Sequence, residues 1–331
     1  MRAPIAITLA CGLVTIAGTA QALDQVTFGT NWKAQAEHGG FYQAVATGIY
    51  EEHGLDVTIR PGGPQVNHAQ LLAAGQIDFN MGGNMFGAFN FVQNDIPMVT
   101  VASVFQKDPQ ILMAHPDQGF ENLADLEGHP IYISQDSRIT FWEWLKAEYG
   151  FTDDQIRAYT FNPAPFLADK SVVQQGYLTS EPFAIERQGG FTPQVFLLAD
   201  AGYDTYSTTI ETSWQLVEEN PDLVQRFVDA TARGWYDFLY GDPTPAYELI
   251  KQDNPEMTQE QLDYSREKLK EYGIVDSGDA LTLGIGAMTD ERWQGFFQFA
   301  ADAGLYPKDL DLSRAYTLQF VNKKVGMELK K

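Results

Sequence analysis

The sequence predicts an α/β protein of two lobes, each a mostly parallel sheet flanked by helices. Three observations carry that reading. Apolar runs of strand length alternate with helical patterns over the first two thirds of the 331 residues. The final third turns predominantly helical from Ser213 onward. No repeat, low-complexity tract or Ser/Gly linker divides the chain into separate beads.

In chain order, Val26–Gly29 is a short β-rich run, and His38–Tyr50 reads as a helix with Phe41, Val45 and Ile49 at its apolar positions. Leu55–Ile59 alternates as a strand. Gly62-Gly63-Pro64 makes a turn, and Val66–Ala74 is a helix stopped by Gly75. Ile77–Met81 is a third strand, Met85–Gln93 a helix and Met98–Phe105 a fourth strand. The alternation resumes with strands at Ile131–Ser134, Ala158–Phe161 and Val195–Ala199, and helices at Ile139–Tyr149 and around Lys170–Gln175. Asn220-Pro221 opens a helix over Asp222–Tyr240, Thr258 opens Gln259–Tyr272, and Thr289 opens Asp290–Ala303. Crossings near Phe105–Ala114 and Leu197–Tyr203 would join the lobes and serve as hinges. Lobe 1 is then discontinuous, residues 23–107 and 203–331, with lobe 2 at 108–202.

Residues 1–22 read as a signal peptide. Arg2 and the apolar Ile5–Ala17 precede Ala20-Gln21-Ala22, a small-x-small cleavage pattern, so cleavage after Ala22 and a periplasmic location are expected. The apolar run is shorter than the roughly 20 residues of a membrane span. Cys11, the sole cysteine, falls inside this leader and too early for a lipid anchor. The mature chain would then hold no disulfide, thiol nucleophile or cysteine-bound metal. A net charge of −22, from 22 basic and 44 acidic residues, argues against nucleic acid or an anionic membrane as partner. His38, His53, His68, His115 and His129 are scattered without metal-ligand spacing, and no G-x-S-x-G elbow is present. Leu283-Gly284-Ile285-Gly286-Ala287 lacks the third glycine of a phosphate loop. A binding protein is expected, not an enzyme, with no cofactor and no metal.

Ligands of open parallel sheets sit beyond the carboxyl ends of the strands. That rule selects Asn31 and Trp32 after the first strand, His38 and Tyr42 in the next loop and helix, and Gly83 and Asn84 after the third strand. In the second lobe it selects Asn162 and Glu181, and in the return crossing Tyr203 and Tyr206. Flat aromatics, bare glycine backbone and a few amides suit a planar ring stacked on Trp32 and bonded to Asn31, Asn84 and Glu181. Each has a plainer alternative. Trp32 could pack between lobes, His38 could cap a helix, Gly82-Gly83 could serve a turn, and Glu181 could hold structure. Trp142 and Trp144 are expected to pack.

Several passages carry a resemblance. Asn31-Trp32, the run Glu37-His38-Gly39-Gly40-Phe41-Tyr42-Gln43-Ala44, Gly48-Ile49-Tyr50 and Gly54-Leu55-Asp56-Val57 open it. Leu71–Phe79 and Ser180-Glu181-Pro182 continue it. Together they resemble the substrate-binding family that includes thiamin-pyrimidine receptors, in a pattern shared with nitrate, sulfonate and taurine receptors. The resemblance implies a type II periplasmic-binding-protein fold that hands ligand to the permease and ATPase of an inner-membrane ABC importer, with the receptor itself a monomer. It implies an aminopyrimidine stacked between Trp32 and a tyrosine such as Tyr177 or Tyr206, with Glu181 on the ring edge. The implied ligand is a thiamin pyrimidine precursor such as formylaminopyrimidine or hydroxymethylpyrimidine. A carboxylate suits such an edge, accepting from the exocyclic amine and a protonated ring nitrogen. A receptor for nitrate, taurine or alkanesulfonate is the alternative, and would want Arg, Lys or bare helix N-termini. Lys33, Lys107, Arg138 and Lys170 form no cluster in sequence. A remote alternative is a hydroxymethylpyrimidine synthase of the same fold, which uses a lysine and a histidine after the third strand and a later cysteine-rich motif. Here Gly82-Gly83-Asn84-Met85-Phe86 has neither, and no cysteine follows Cys11.

Overall fold

The computed structural model describes residues 22–63 and 66–330. The expected leader to residue 21, and Pro64 of the expected turn, lie outside the described residues. Ten strands form two five-stranded sheets among those described. The first joins β1 (Asp24–Gly29), β2 (Leu55–Arg60), β3 (Phe79–Asn84), β4 (Met98–Phe105) and β10 (Ser207–Ser213), in the order β2-β1-β3-β10-β4. The second joins β5 (Gln110–Ala114), β6 (Ile131–Ile133), β7 (Ile156–Ala158), β8 (Val173–Tyr177) and β9 (Gln194–Leu197), in the order β7-β6-β8-β5-β9.

Both orders follow one scheme, and each sheet has a single reversed strand. β10 runs antiparallel to β3 and β4, and β5 runs antiparallel to β8 and β9. The two crossings require this. The chain leaves β4 at its carboxyl end and enters the second sheet from the side where β6 and β8 finish. A strand entering from that side must run against its neighbours. The same holds for β10 after residues 198–206, so the carboxyl ends of both parallel sets face one cleft.

Two local rules shape the first lobe. Helix Gly39–Ala46 crosses helix Pro221–Tyr240 through glycines. A Cβ on Gly40 would stand 2.2 Å from the Trp235 ring, one on Gly39 2.2 Å from Phe238, and one on Gly234 2.4 Å from the Gly40 carbonyl. Only hydrogen fits at such a crossing. Beneath it, Phe79 stacks on Phe227 at 4.0 Å and 9°, with Tyr50 on the other side at 5.4 Å and 13°. The edge strand β4 is buried along its whole length, because the C-terminal segment bonds it at Thr100 and Gly286 bonds it at Ser103.

The structure departs from the sequence reading at five places. The expected single helix over 38–50 is two, Gly39–Ala46 and Ile49–Glu52, since Gly48 takes a left-handed conformation (φ 76°) between them. Gly82-Gly83-Asn84 is the end of β3, not a loop, because β10 pairs with it. The expected helix around Lys170–Gln175 is a turn and β8, whose backbone pairing with β5 and β6 overrides the helix preference of Gln174 and Gln175. The expected strand Ala158–Phe161 ends at Ala158, with Phe161 at φ 61° in a loop. The first crossing also holds a strand read there as connection, β5, and an unread strand, β10, follows the second.

Candidate ligand-binding site

A cavity of about 240 Å³ lies between the carboxyl ends of the two parallel sets. Asn31, Trp32, Gln35, Glu37 and His38 wall it from the first lobe. Phe161, Gln175, Tyr177, Ser180 and Glu181 wall it from the second.

Trp32 is held by its own backbone. Its carbonyl accepts from the Thr30 hydroxyl at 3.1 Å and from the Gly62 amide at 3.0 Å. A Cβ on Gly62 would fall 2.3 Å from the Thr30 oxygen, so this close approach needs glycine. The indole meets Phe161 across the cleft, centroids 5.3 Å apart and tilted 43°. One aromatic thus comes from each lobe. Carbon contacts are made at about 3.5–4.0 Å, so a ring entering between these two would part them to about 7 Å.

Glu181 opens helix Glu181–Gly189 and folds back over the end of β8, where its Oε2 accepts from the Tyr177 amide at 2.7 Å. Gly176 permits the fold-back, since a Cβ there would stand 2.8 Å from that of Glu181. Loss of water around the carboxyl, reinforced by the nearby Glu37 charge, pushes its pKa up to about 7. Glu37, on the 3-10 turn Ala36–His38, is buried and raised for the same first reason, and its carboxylate accepts the Thr179 hydroxyl of the second lobe. Burial lowers His38 to about 3, so its ring is neutral. Its Nε2 is 3.3 Å from Asn31 Oδ1, while Nδ1 is buried without a hydrogen-bond partner. Two carboxyls and no lysine or arginine among the cavity walls leave a site that accepts hydrogen bonds and repels anions.

Of the residues expected from sequence, Asn31, Trp32, His38, Tyr177 and Glu181 meet in this cavity. The others stand elsewhere. Tyr42 is buried and donates to Asp253 at 2.7 Å. Asn84 caps helix Met85–Gln93 and bonds the buried Asp108 of the first crossing. Asn162 accepts from the Ala164 amide on an exposed loop. Tyr203 packs on Trp144 and Phe296, with its hydroxyl unpartnered. Tyr206, offered above as a stacking partner, donates to Asp279 at 2.6 Å beneath the Arg292 guanidinium, which stands 4.1 Å over its ring. Arg292 also donates to the Gln106 and Thr205 carbonyls, tying both crossings together. Gly83 borders a neighbouring groove instead. Trp142 and Trp144 are core residues.

Sequence reasoning missed Phe161, Gln175 and Gln110 because it misplaced the strands that carry or precede them. The signal available was Val172-Val173 before a glycine-tyrosine pair, a β-branched start that outweighs the two glutamines. Glu37 was visible beside His38. Its role depends on Thr179, a partner 142 residues away.

A family model described as NMT1/THI5 like matches residues 35–246. The riboflavin-binding protein RibY of Chloroflexus aurantiacus is 27% identical over 312 residues, covering 90% of this chain and 86% of that protein. The formylaminopyrimidine-binding protein of Halalkalibacterium halodurans is 24% identical over 239 residues, 70% of this chain and 71% of that one. Among solved structures, the periplasmic aliphatic sulphonate binding protein SsuA of Escherichia coli superposes with a TM-score of 0.65 at 13% identity, covering 89% of this chain and 92% of that one, a likeness of fold. Among the described residues no helix is long and apolar enough to cross a membrane, and no group of three or more His, Cys, Asp or Glu could hold a metal.

Proposed function

The chain belongs to the NMT1/THI5-like family, and from that premise we propose that it is the solute-binding receptor of an ABC importer, taking a planar nitrogen heterocycle into the cleft between its lobes. The observation that carries the reading is the pairing of Trp32 and Phe161 across a cavity whose charged groups are all carboxyls. A flat ring gains dispersion contact on both faces, and its N–H edge meets an acceptor in Glu181. A pyrimidine edge has that form, both in thiamin precursors such as formylaminopyrimidine or hydroxymethylpyrimidine and as the terminal ring of a flavin. Relatives named for each of these chemistries support it.

A nitrate, taurine or alkanesulfonate ligand fits less well, since among the described residues no lysine or arginine lines the cavity to offset the loss of an anion's hydration. A synthase is disfavoured by the absence of lysine and histidine over residues 82–86 and of cysteine after residue 11. The receptor would act in the periplasm after export, with residues 23–107 and 203–331 closing on 108–202 about the crossings. The closed form is the one its permease would recognise. Trp32→Ala should weaken heterocycle binding by about 1–3 kcal/mol in calorimetric titration. Glu181→Gln should weaken an aminopyrimidine more than the same ring without its amine. Equal losses for both would reduce Glu181 to a scaffold role.

A further inference from the structure

A groove of about 610 Å³ adjoins the cleft on the first lobe and shares Asn31 and Met81 with it as walls. Its other walls come from residues 66–69 at and before the start of helix His68–Ala73, from β3, from helix Met85–Gln93 and from Glu211 of β10. We propose that this groove is a second subsite, which takes an uncharged, hydroxyl-bearing chain attached to the ring held at Trp32 and Glu181. The proposal rests on the heterocycle-receptor reading and extends it from a ring to a ring with a polar tail.

The chemistry of the walls selects such a tail. Glu211 is buried, its Oε2 accepts from the Asn80 amide at 2.7 Å, and its Oε1 has only the Thr209 hydroxyl at 3.4 Å. Burial pushes its pKa up to about 7, and among the described residues no lysine or arginine lines the groove to neutralise it. His68 Nδ1 is 2.8 Å from the Thr30 carbonyl. A carbonyl only accepts, so Nδ1 holds the proton and Nε2 of the neutral ring is an acceptor. The groove thus offers acceptors in want of donors. Hydroxyls supply them; a phosphate would not. Size points the same way, because ligand pockets usually run to about 300–1,000 Å³ and the cleft cavity alone falls short of that. Room for the chain is kept by glycine. A Cβ on Gly82 would stand 2.1 Å from Glu211 Oε1 and one on Gly87 3.2 Å from it, so a side chain at either position would crowd that carboxyl.

The test compares three ligands by quenching of flavin fluorescence: lumiflavin, which has the ring without the chain; riboflavin, which carries the hydroxylated chain; and riboflavin 5′-phosphate. Two or more hydrogen bonds to the chain should make riboflavin at least about tenfold tighter than lumiflavin, with the phosphate ester weaker than riboflavin. Glu211→Gln, which keeps the groove's shape, should narrow the riboflavin-to-lumiflavin ratio to within about threefold. Equal affinity for riboflavin and lumiflavin would overturn the subsite and leave the ring reading intact. So would binding of hydroxymethylpyrimidine with no binding of either flavin. If none of these rings bound, the heterocycle reading would fall and the subsite with it.

Discussion

Gly40→Val is expected to destabilise the protein by about 3 kcal/mol or more, read as a fall in the urea midpoint at unchanged slope. Even the first carbon of a side chain would lie 2.2 Å from the Trp235 ring, and Gly234 of the same partner helix already sits against the Gly40 carbonyl. Neither helix can withdraw freely. The helix Gly39–Ala46 is wedged between helix Pro221–Tyr240 and the sheet below, with Phe41 against Phe28 at 4.5 Å. Binding should suffer too, because Glu37 and His38 form the turn that leads directly into this helix. The glycine pair in Glu37-His38-Gly39-Gly40 is therefore a packing device that aims the two residues before it. Wild-type stability in Gly40→Val would mean that the two helices do not meet as described.

Stability should fall as pH rises from about 5 to 8. Glu181 and Glu211 are raised to about 7 and Asp108 to about 6, first by burial, and Glu37 is raised for the same reason. An acid held neutral by the fold contributes its full share of stability below its unfolded pKa, near 4.5 for glutamate. That share is lost as pH climbs through the folded value, because the unfolded chain has already released the proton. For Glu211 the loss is on the order of 2–3 kcal/mol by pH 8. His38 works against the trend. Its lowered pKa makes the fold resist protonation, so its share is lost as pH falls below about 6.5. Three or four carboxyls outweigh one imidazole over this window. Glu211→Gln cannot ionise, so its melting temperature should decline less from pH 5 to 8 than the wild type's. Parallel declines would place the Glu211 carboxyl in water rather than beneath helix Met85–Gln93.

The sequence displayed the architecture more fully than the site. Met98–Phe105 is a mostly apolar run rich in β-branched residues, interrupted only by Thr100 and Ser103, and its limits as a strand could be read directly. The three longest helices after residue 213 begin at Asn220, Thr258 and Thr289, each accepting from an amide of the first turn. β5, β8 and β10 were hidden because each owes its state to neighbours far along the chain. Gln174-Gln175 has no local reason to be a strand, and Ser207–Ser213 looks polar until it is seen between β3 and β4. The same distance effect divides the candidate site. Trp32 follows from its position after a strand and Glu181 from the Ser180-Glu181-Pro182 passage, whereas Tyr206 was chosen by the strand-end rule and is taken up by Asp279 and Arg292. Phe161 could not be chosen from sequence, since its partner Trp32 is in the other lobe and its loop begins three residues earlier than the pattern suggests.

The cleft is expected to bind a planar nitrogen heterocycle and to reject small anions. Isothermal titration of the purified protein against hydroxymethylpyrimidine, formylaminopyrimidine, riboflavin, taurine and nitrate tests it most directly. The prediction is saturable one-to-one binding of at least one of the three heterocycles and no heat from taurine or nitrate. Saturable binding of taurine or nitrate, with all three heterocycles silent, would contradict it.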